Sequence, residues 1–502
     1  MRTKKAIINY ITETVPEILI MFLGFFRIKF FLKYLGTDIL GLYQMFGQFF
    51  AYINLTEAGF STAALYSLYK PISDKDQKKI NSILSGTNRI FKIIGFGMFL
   101  IGIIFSFFIH YFIKDNTISN GYIITSFIIF LLINVMSYFF KPYSIYFDAK
   151  EKRYIPNLIY QIGLLVKTIT EIVLLFLGFD LIKILMVSLI IVLITNLIVK
   201  ITMKKQYPEI DFKGEKDYSA WKGTKHLIVH KLSGVVANNV DMLVISTFVG
   251  LTKVVLYSSY MYVINAIKIL LSKFSSSLYS LVGIKMLGDS EEDNYKTFME
   301  LNTLMSFVSI VICGSLSFAI NPFINIFYEG EIVTSKVLAF CFILMLFISI
   351  NSSTLCVYTN STGLFKETKV CTITEAVTNL VLSIIGMILF GIPGILIATS
   401  ISYIVADYII KPKILYKNTF KKKSTKEFYL NFLITTIIFF ISYILNSLIK
   451  INVSNLLLWF IICFGLFIIN LIVTYLIFKV LKMNLWIDRI KKMIRRKIKN
   501  ES

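Results

Sequence analysis

The sequence predicts an all-α polytopic membrane protein with 14 transmembrane helices, and three observations carry that expectation. Apolar runs of membrane-spanning length recur from one end to the other. Of the 502 residues 56% are hydrophobic and only 16% charged, with a mean hydropathy of +0.73, whereas soluble domains carry about 25% charged residues. Lysine and arginine collect in alternate connections, as membrane orientation requires. A β-barrel is excluded, because its strands would alternate in segments of about 10 residues.

The N-terminal MRTKKAIINYITETVPEILI lacks a small-residue cleavage site and is expected to be a retained first helix rather than a signal peptide. The expected spans are 7–35, 39–66, 90–113, 121–146, 155–178, 181–203, 226–250, 254–284, 302–328, 334–360, 369–391, 393–412, 428–449 and 453–480. Between the eleventh and twelfth, GIPG from Gly391 to Gly394 leaves room only for a tight turn.

The connections after even-numbered spans contain KPISDKDQKK, the segment KKQYPEIDFKGEKDYSAWKGTK and KPKILYKNTFKKKSTK, and the basic C-terminal tail joins them. Positive loops stay inside, so both termini are expected in the cytoplasm, which an even number of spans satisfies. The acidic loop GDSEEDNYK, from Gly288, departs locally, and acidic residues weigh little in this rule. The formal charge of +23 is thus an orientation signal, and no nucleic-acid partner is expected. The tail from Asp488 reads either as a basic amphipathic helix on an anionic leaflet or as a solvated charged end. All five cysteines lie within apolar segments without CxxC spacing, so neither a disulfide nor a metal is expected. His226 and His230 share one helix face, too few ligands for a metal site.

Self-comparison reveals a repeat. LGTDILGLYQMF matches VGLTKVVLYSSYM, placing Gly36 on Gly250 and Tyr43 on Tyr257 at an offset of 214. At nearly the same offset YFDAKEKRY, from Tyr146, faces YTNSTGLFK, from Tyr358, and GFDLIKI, from Gly178, faces GIPGILI, from Gly391. Six spans are therefore expected to recur in parallel, as in transporter halves that rock about a central site. This gives an N-terminal lobe with its cytoplasmic linker (1–225), a C-terminal lobe (226–420), and two additional helices with a basic tail (421–502).

The stretch RIKFFLKYLGTDILGLYQMFGQFFAYINLTEAGFSTAALYSLYKPISDKD, followed by SYFFKPYSIYFDAKEKRYIPNLI and GIPGILIATSISYI, resembles the polysaccharide-repeat-unit (O-antigen, Wzx-type) flippases. These belong to the multidrug/oligosaccharidyl-lipid/polysaccharide exporter superfamily. The resemblance covers nearly the whole chain, most strongly 20–160, through diffuse motifs without a catalytic signature. It implies a MATE-type fold, two six-helix lobes around a central cavity with two extra C-terminal helices. It also implies movement of undecaprenyl-pyrophosphate-linked oligosaccharides from the inner to the outer leaflet of the bacterial cytoplasmic membrane, alongside the glycan polymerase and glycosyltransferases of the same pathway.

Charges at bilayer depth are costly, about 2.5–3.5 kcal/mol on insertion scales, and usually face protein or water. Arg27 lies nine residues before Gly36, about 13 Å below the expected outer turn and too deep for easy snorkelling. Lys29 is about 200° around the helix from Arg27, so it either lines the cavity separately or snorkels. Lys268 lies fifteen residues after Lys253, about 22 Å down and near mid-bilayer. Lys273 and Lys231 are weaker candidates for attracting anions at the inner mouth. Arg27 and Lys268 are the expected phosphate ligands.

Asp241 is the repeat partner of Arg27, which suggests a gating pair between them, with separate partners in each lobe as the alternative. Glu57 is a candidate proton-linked carboxylate. Lys167 and Glu171 are spaced i,i+4 for a local ion pair. Glu375 and Asp407 read as structural residues nearer helix ends.

No nucleotide-binding G-x-x-x-x-G-K-[ST] loop occurs; GLLVKT, from Gly163, lacks the second glycine. No HExxH or GxSxG occurs either, and the outer connections are too short for a membrane glycosyl polymerase. The expectation is a transporter without enzymatic chemistry or a cofactor, driven by membrane potential or coupled to Na⁺ or H⁺ through Glu57 or Asp241. A flippase for the peptidoglycan lipid precursor and a drug/cation antiporter are the alternatives.

Overall fold

The computed structural model describes residues 2–54, 60–114, 117–212, 214–218, 240–288, 290–330, 332–449, 451, 453 and 455–487, and among them all regular structure is helical. Among the described residues eleven helices are long and apolar enough to cross a membrane. They overlap the expected third to sixth and eighth to fourteenth spans, although the helix at the third begins at Gln77 and that at the ninth at Glu291, well before the expected 90 and 302. The first two expected spans are joined in one helix, α1 (Arg2–Ile53), broken at Gly36 with φ 82° and ψ 174°. This left-handed conformation admits glycine and penalises other residues. The chain continues through α2 (Phe60–Ser73), α3 (Gln77–Ser106), α4 (Asn120–Met136), α5 (Lys141–Ala149), α6 (Tyr154–Phe176) and α7 (Leu181–Gln206). Of the seventh expected span only 240–248 is described as helix; 226–239, with His226, His230 and Lys231, lies outside the described residues, as does Glu57. Then follow α8 (Leu251–Gly288), α9 (Glu291–Phe327), α10 (Lys336–Ser361), α11 (Phe365–Phe390), α12 (Ile392–Tyr403), α13 (Lys411–Asn418), α14 (Lys426–Ser447) and α15 (Leu456–Val480).

The three sequence matches of the repeat share an unusual backbone. Gly36 and Gly250 have φ of 82° and 106°, Glu151 and Gly363 have 57° and 71°, and Gly178 and Gly391 have 76° and 67°. What recurs is therefore the set of places where helices stop. The chain forms two compact units that divide between Val255 and Leu256. The connector after α7 is bonded to α3, with Asp217 N–H donating to Ser82 O at 3.1 Å and Ser85 Oγ donating to Phe212 O at 2.9 Å. Further on, Lys114 N–H donates to Ser246 O at 3.1 Å.

In the first unit α1 packs along α6, and α7 packs against both α4 and α6. Leu42, Phe46, Phe49, Phe91, Phe127 and Phe147 form the core of α1, α3, α4 and α5. The outward face of α6 is apolar (Ile162, Val166, Ile169, Val173), whereas Thr168 and Glu171 are buried. Hydrocarbon outside thus accepts the greasy face, and the polar groups turn inward.

In the second unit α9 is the central helix, flanked by α10, α14 and α15. Apolar association has little driving force in lipid, so polar side chains and small residues join the helices. Asn302 Nδ2 donates to Asn431 Oδ1 at 3.1 Å, and Asn470 Nδ2 donates to Ser315 Oγ at 3.2 Å. The expected GIPG turn is present at Gly391. It returns α12 against α11 so closely that a Cβ on Gly394 would lie 2.0 Å from the Gly386 carbonyl oxygen. Backbone cannot yield there, so Gly394→Ala should cost at least about 1–3 kcal/mol. A Cβ on Gly465, in the middle of α15, would meet nothing within 4 Å, so Gly465→Ala should be neutral to stabilising, by up to about 1 kcal/mol; thermal unfolding of the purified chain in detergent checks both.

Candidate functional site

Arg27 lies sixteen residues before Tyr43 on α1, which along an unbroken helix would separate them by about 24 Å. Instead the Arg27 guanidinium carbon is 5.7 Å from the centre of the Tyr43 ring. The break at Gly36 folds the two halves of α1 alongside each other, and that is what places an aromatic face beside the buried arginine. Arg27 Nη1 donates to Glu171 Oε2 at 3.2 Å. Lys167 Nζ lies 3.6 Å from the other carboxylate oxygen, Oε1, which also accepts from Ser188 Oγ at 3.0 Å. Three helices thus converge on one carboxylate: α1 brings Arg27, α6 brings Lys167 and Glu171, and α7 brings Ser188.

Glu171 is 1% exposed, Lys167 14% and Arg27 19%. The carboxylate is sealed in, whereas part of the Arg27 side chain remains uncovered. The i,i+4 pair anticipated from spacing is present, and the acid in it also holds Arg27. Glu171 and Arg27 are thus partners within one unit. Asp241 itself is buried and lies within electrostatic reach of Tyr52. Lys29 and Lys273 are partly exposed.

In the second unit Lys268 lies over the Tyr403 ring, 5.7 Å from its centre. One turn beyond Tyr403, Asp407 accepts from Lys411 Nζ, which also contacts Cys356 Sγ at 3.3 Å. Glu375 lies within electrostatic reach of Asp407, Lys411 and Lys268. Sequence reasoning misses this group by putting Asp407 near a helix end. The helix in fact continues from Ile392 to Asn418 over 27 residues, so Asp407 is well inside it.

The misplacement has a local cause. Lys411-Pro412 reads as a helix stop, yet residues 404–410 widen into a π-helix immediately before that proline. The wider turn lets the chain pass a residue that lacks an N–H and would crowd a regular helix. The available signal was the i,i+4 spacing of Asp407 and Lys411, the same spacing that revealed Lys167 and Glu171. Among the described residues no group of three or more His, Cys, Asp or Glu side chains could hold a metal ion.

The arrangement is that of an all-helical, polytopic membrane fold of MATE type, with buried ion pairs in each unit. Among solved structures, the lipid II flippase MurJ in an inward closed conformation is 20% identical with a TM-score of 0.67, covering 94% of this chain and 99% of that one. A multidrug resistance MATE family transporter of the MOP superfamily, inward-facing, is 13% identical with a TM-score of 0.65, covering 83% and 100%. A MOP superfamily transporter from Pyrococcus furiosus, described as having reversed polarity of its binding pocket, is 11% identical with a TM-score of 0.55, covering 83% and 96%. No protein-family model and no curated protein matches the chain.

Removing one member of a buried ion pair costs about 3–5 kcal/mol when the remaining charge has no other partner. Glu171→Ala leaves both Arg27 and Lys167 without this carboxylate, whereas Lys167→Ala leaves Glu171 with Arg27 and Ser188. Glu171→Ala should therefore lower the melting temperature in detergent well below that of Lys167→Ala, and equal effects would contradict the geometry.

Proposed function

We propose that the chain is a flippase that moves undecaprenyl-pyrophosphate-linked oligosaccharide repeat units from the inner to the outer leaflet of the bacterial cytoplasmic membrane by alternating access. The observation that carries this reading is Arg27, a membrane-embedded cation held by Glu171 with part of its surface accessible. A phosphate oxygen can take the place of the carboxylate on a guanidinium, because both accept paired N–H donors in the same plane. Lys268, resting on Tyr403, supplies a second cation in the other unit. Exchange of one anion for another leaves no bare charge in hydrocarbon, which is the main barrier to headgroup passage. Outward movement of a dianionic pyrophosphate from a negative interior gains about 2.3 kcal/mol per charge per 100 mV.

On this reading both termini are cytoplasmic, membrane lipids take up the polyprenyl tail, and the polymerase and glycosyltransferases of the same pathway are partners. Lys29, Lys273 and Lys231 serve anion attraction, and Glu57 and Asp241 serve gating or coupling. A second reading, a flippase for the peptidoglycan lipid precursor, is favoured by the likeness to MurJ along 94% of the chain. A drug/cation antiporter, suggested by the MATE neighbours, fits less well with Arg27 and Lys268 as the embedded groups.

Proteoliposomes containing the full chain and either lipid-linked oligosaccharide or lipid II, scored for headgroup exposure, separate these readings. Arg27→Ala and Lys268→Ala should each slow flipping at least about tenfold, the size of one lost charge-assisted contact. The exchange Arg27→Glu with Glu171→Arg should recover thermal stability relative to either single change without recovering flipping. Recovery of both would reduce Arg27 to a structural role.

A further inference from the structure

Glu375 lies eleven residues into α11 (Phe365–Phe390), away from both helix ends. It is partly buried and, among the described residues, makes no hydrogen bond or ion pair. Asp407 and Lys411, on the continuous helix that packs on α11, lie within electrostatic reach of it, as do Lys268 on α8 and Cys356 on α10; Cys371 is on its own helix. Asp407 and Lys411 are already paired with each other, so Glu375 is the carboxylate of this group that stands outside the pair.

One turn along the same face is Asn379, 1% exposed, and one turn further is Ser383, fully buried. Asn379 Nδ2 donates to Thr399 Oγ1 at 2.9 Å, and the Thr399 hydroxyl donates its hydrogen to Ile395 O at 3.1 Å. Those two bonds set the orientation of the amide, with Nδ2 on Thr399 and Oδ1 as a buried acceptor. Among the described residues Oδ1 receives no donor, nor does Ser383 Oγ have a partner. A buried acceptor without a donor is costly, and within a membrane there is no bulk water to supply one.

We propose that Glu375 is a proton-binding site, whose protonated carboxyl donates to Asn379 Oδ1. The proton comes from hydronium in water that reaches the second unit: an O–H bond of hydronium breaks as one forms on the carboxylate, leaving water, and release reverses the exchange. Loading satisfies the orphan acceptor and removes a charge from hydrocarbon in one step. It also takes the group of Glu375, Asp407, Lys411 and Lys268 from formally neutral to a net positive charge beside Lys268, the cation assigned above to the travelling headgroup. Lys268 and Lys411 make the same place unfavourable for a metal cation. The link to transport rests on the flippase reading; proton binding itself does not.

The test uses the full chain in liposomes without any substrate, so its outcome is independent of what is transported. Infrared difference spectra between about pH 5 and pH 9, a window that covers documented buried glutamates, should contain a carboxylic-acid C=O band that titrates. Glu375→Gln, which keeps an N–H donor for Asn379, should remove that band. Asn379→Leu takes away the acceptor of the neutral form and should move the midpoint about one unit lower. The wild-type titration needs no variant, so a variant that fails to fold does not shelter the proposal. Absence of a titrating band in the wild type, its persistence in Glu375→Gln, or a band governed by Na⁺ at constant pH would each overturn it.

Discussion

Hydrocarbon offers a charged or polar side chain nothing to bond to, and the fold is arranged around that constraint. Its sharpest expression is the Glu171 carboxylate. Arg27 takes one oxygen, while Lys167 and Ser188 share the other. The three helices that contribute these groups must pack in one register for the charges to be compensated. Gly36 is part of the same device, because without its left-handed turn Tyr43 could not return to the arginine.

The two units solve the problem with opposite emphasis. In the first, a carboxylate is surrounded by two cations and a hydroxyl, and it is the arginine that keeps some surface. In the second, a lysine is bracketed by a carboxylate and a thiol, and a glutamate is left outside the pair. The first arrangement suits exchange of one anion for another on Arg27. The second leaves an acid near an unsatisfied amide oxygen, a setting for a proton. Elsewhere in the second unit the polar groups serve assembly, as with the asparagines and serines that fasten α14 and α15 to α9.

The internal repeat survives in the places where helices end. Its aligned positions share a left-handed backbone at three points, including Glu151 where the other copy has Gly363. Side-chain chemistry at equivalent positions has diverged: Arg27 in one copy stands where the other has Asp241. A helix break depends on a few local dihedral angles and tolerates changes around it. A charge in a membrane depends on its neighbours and must change along with them.

The helical membrane class, eleven of the spans and the tight GIPG turn were determined by the sequence alone, since apolar length, glycine and basic connections act locally. The Lys167–Glu171 pair was legible for the same reason, its spacing fitting a single turn of helix. Tertiary structure decided that Arg27 joins that pair, because the partner is far away in sequence and only packing of α1 on α6 brings them together. It also decided that Asp407 lies inside a helix, because a π-helical turn lets the chain run on past Pro412, where a regular helix would be crowded.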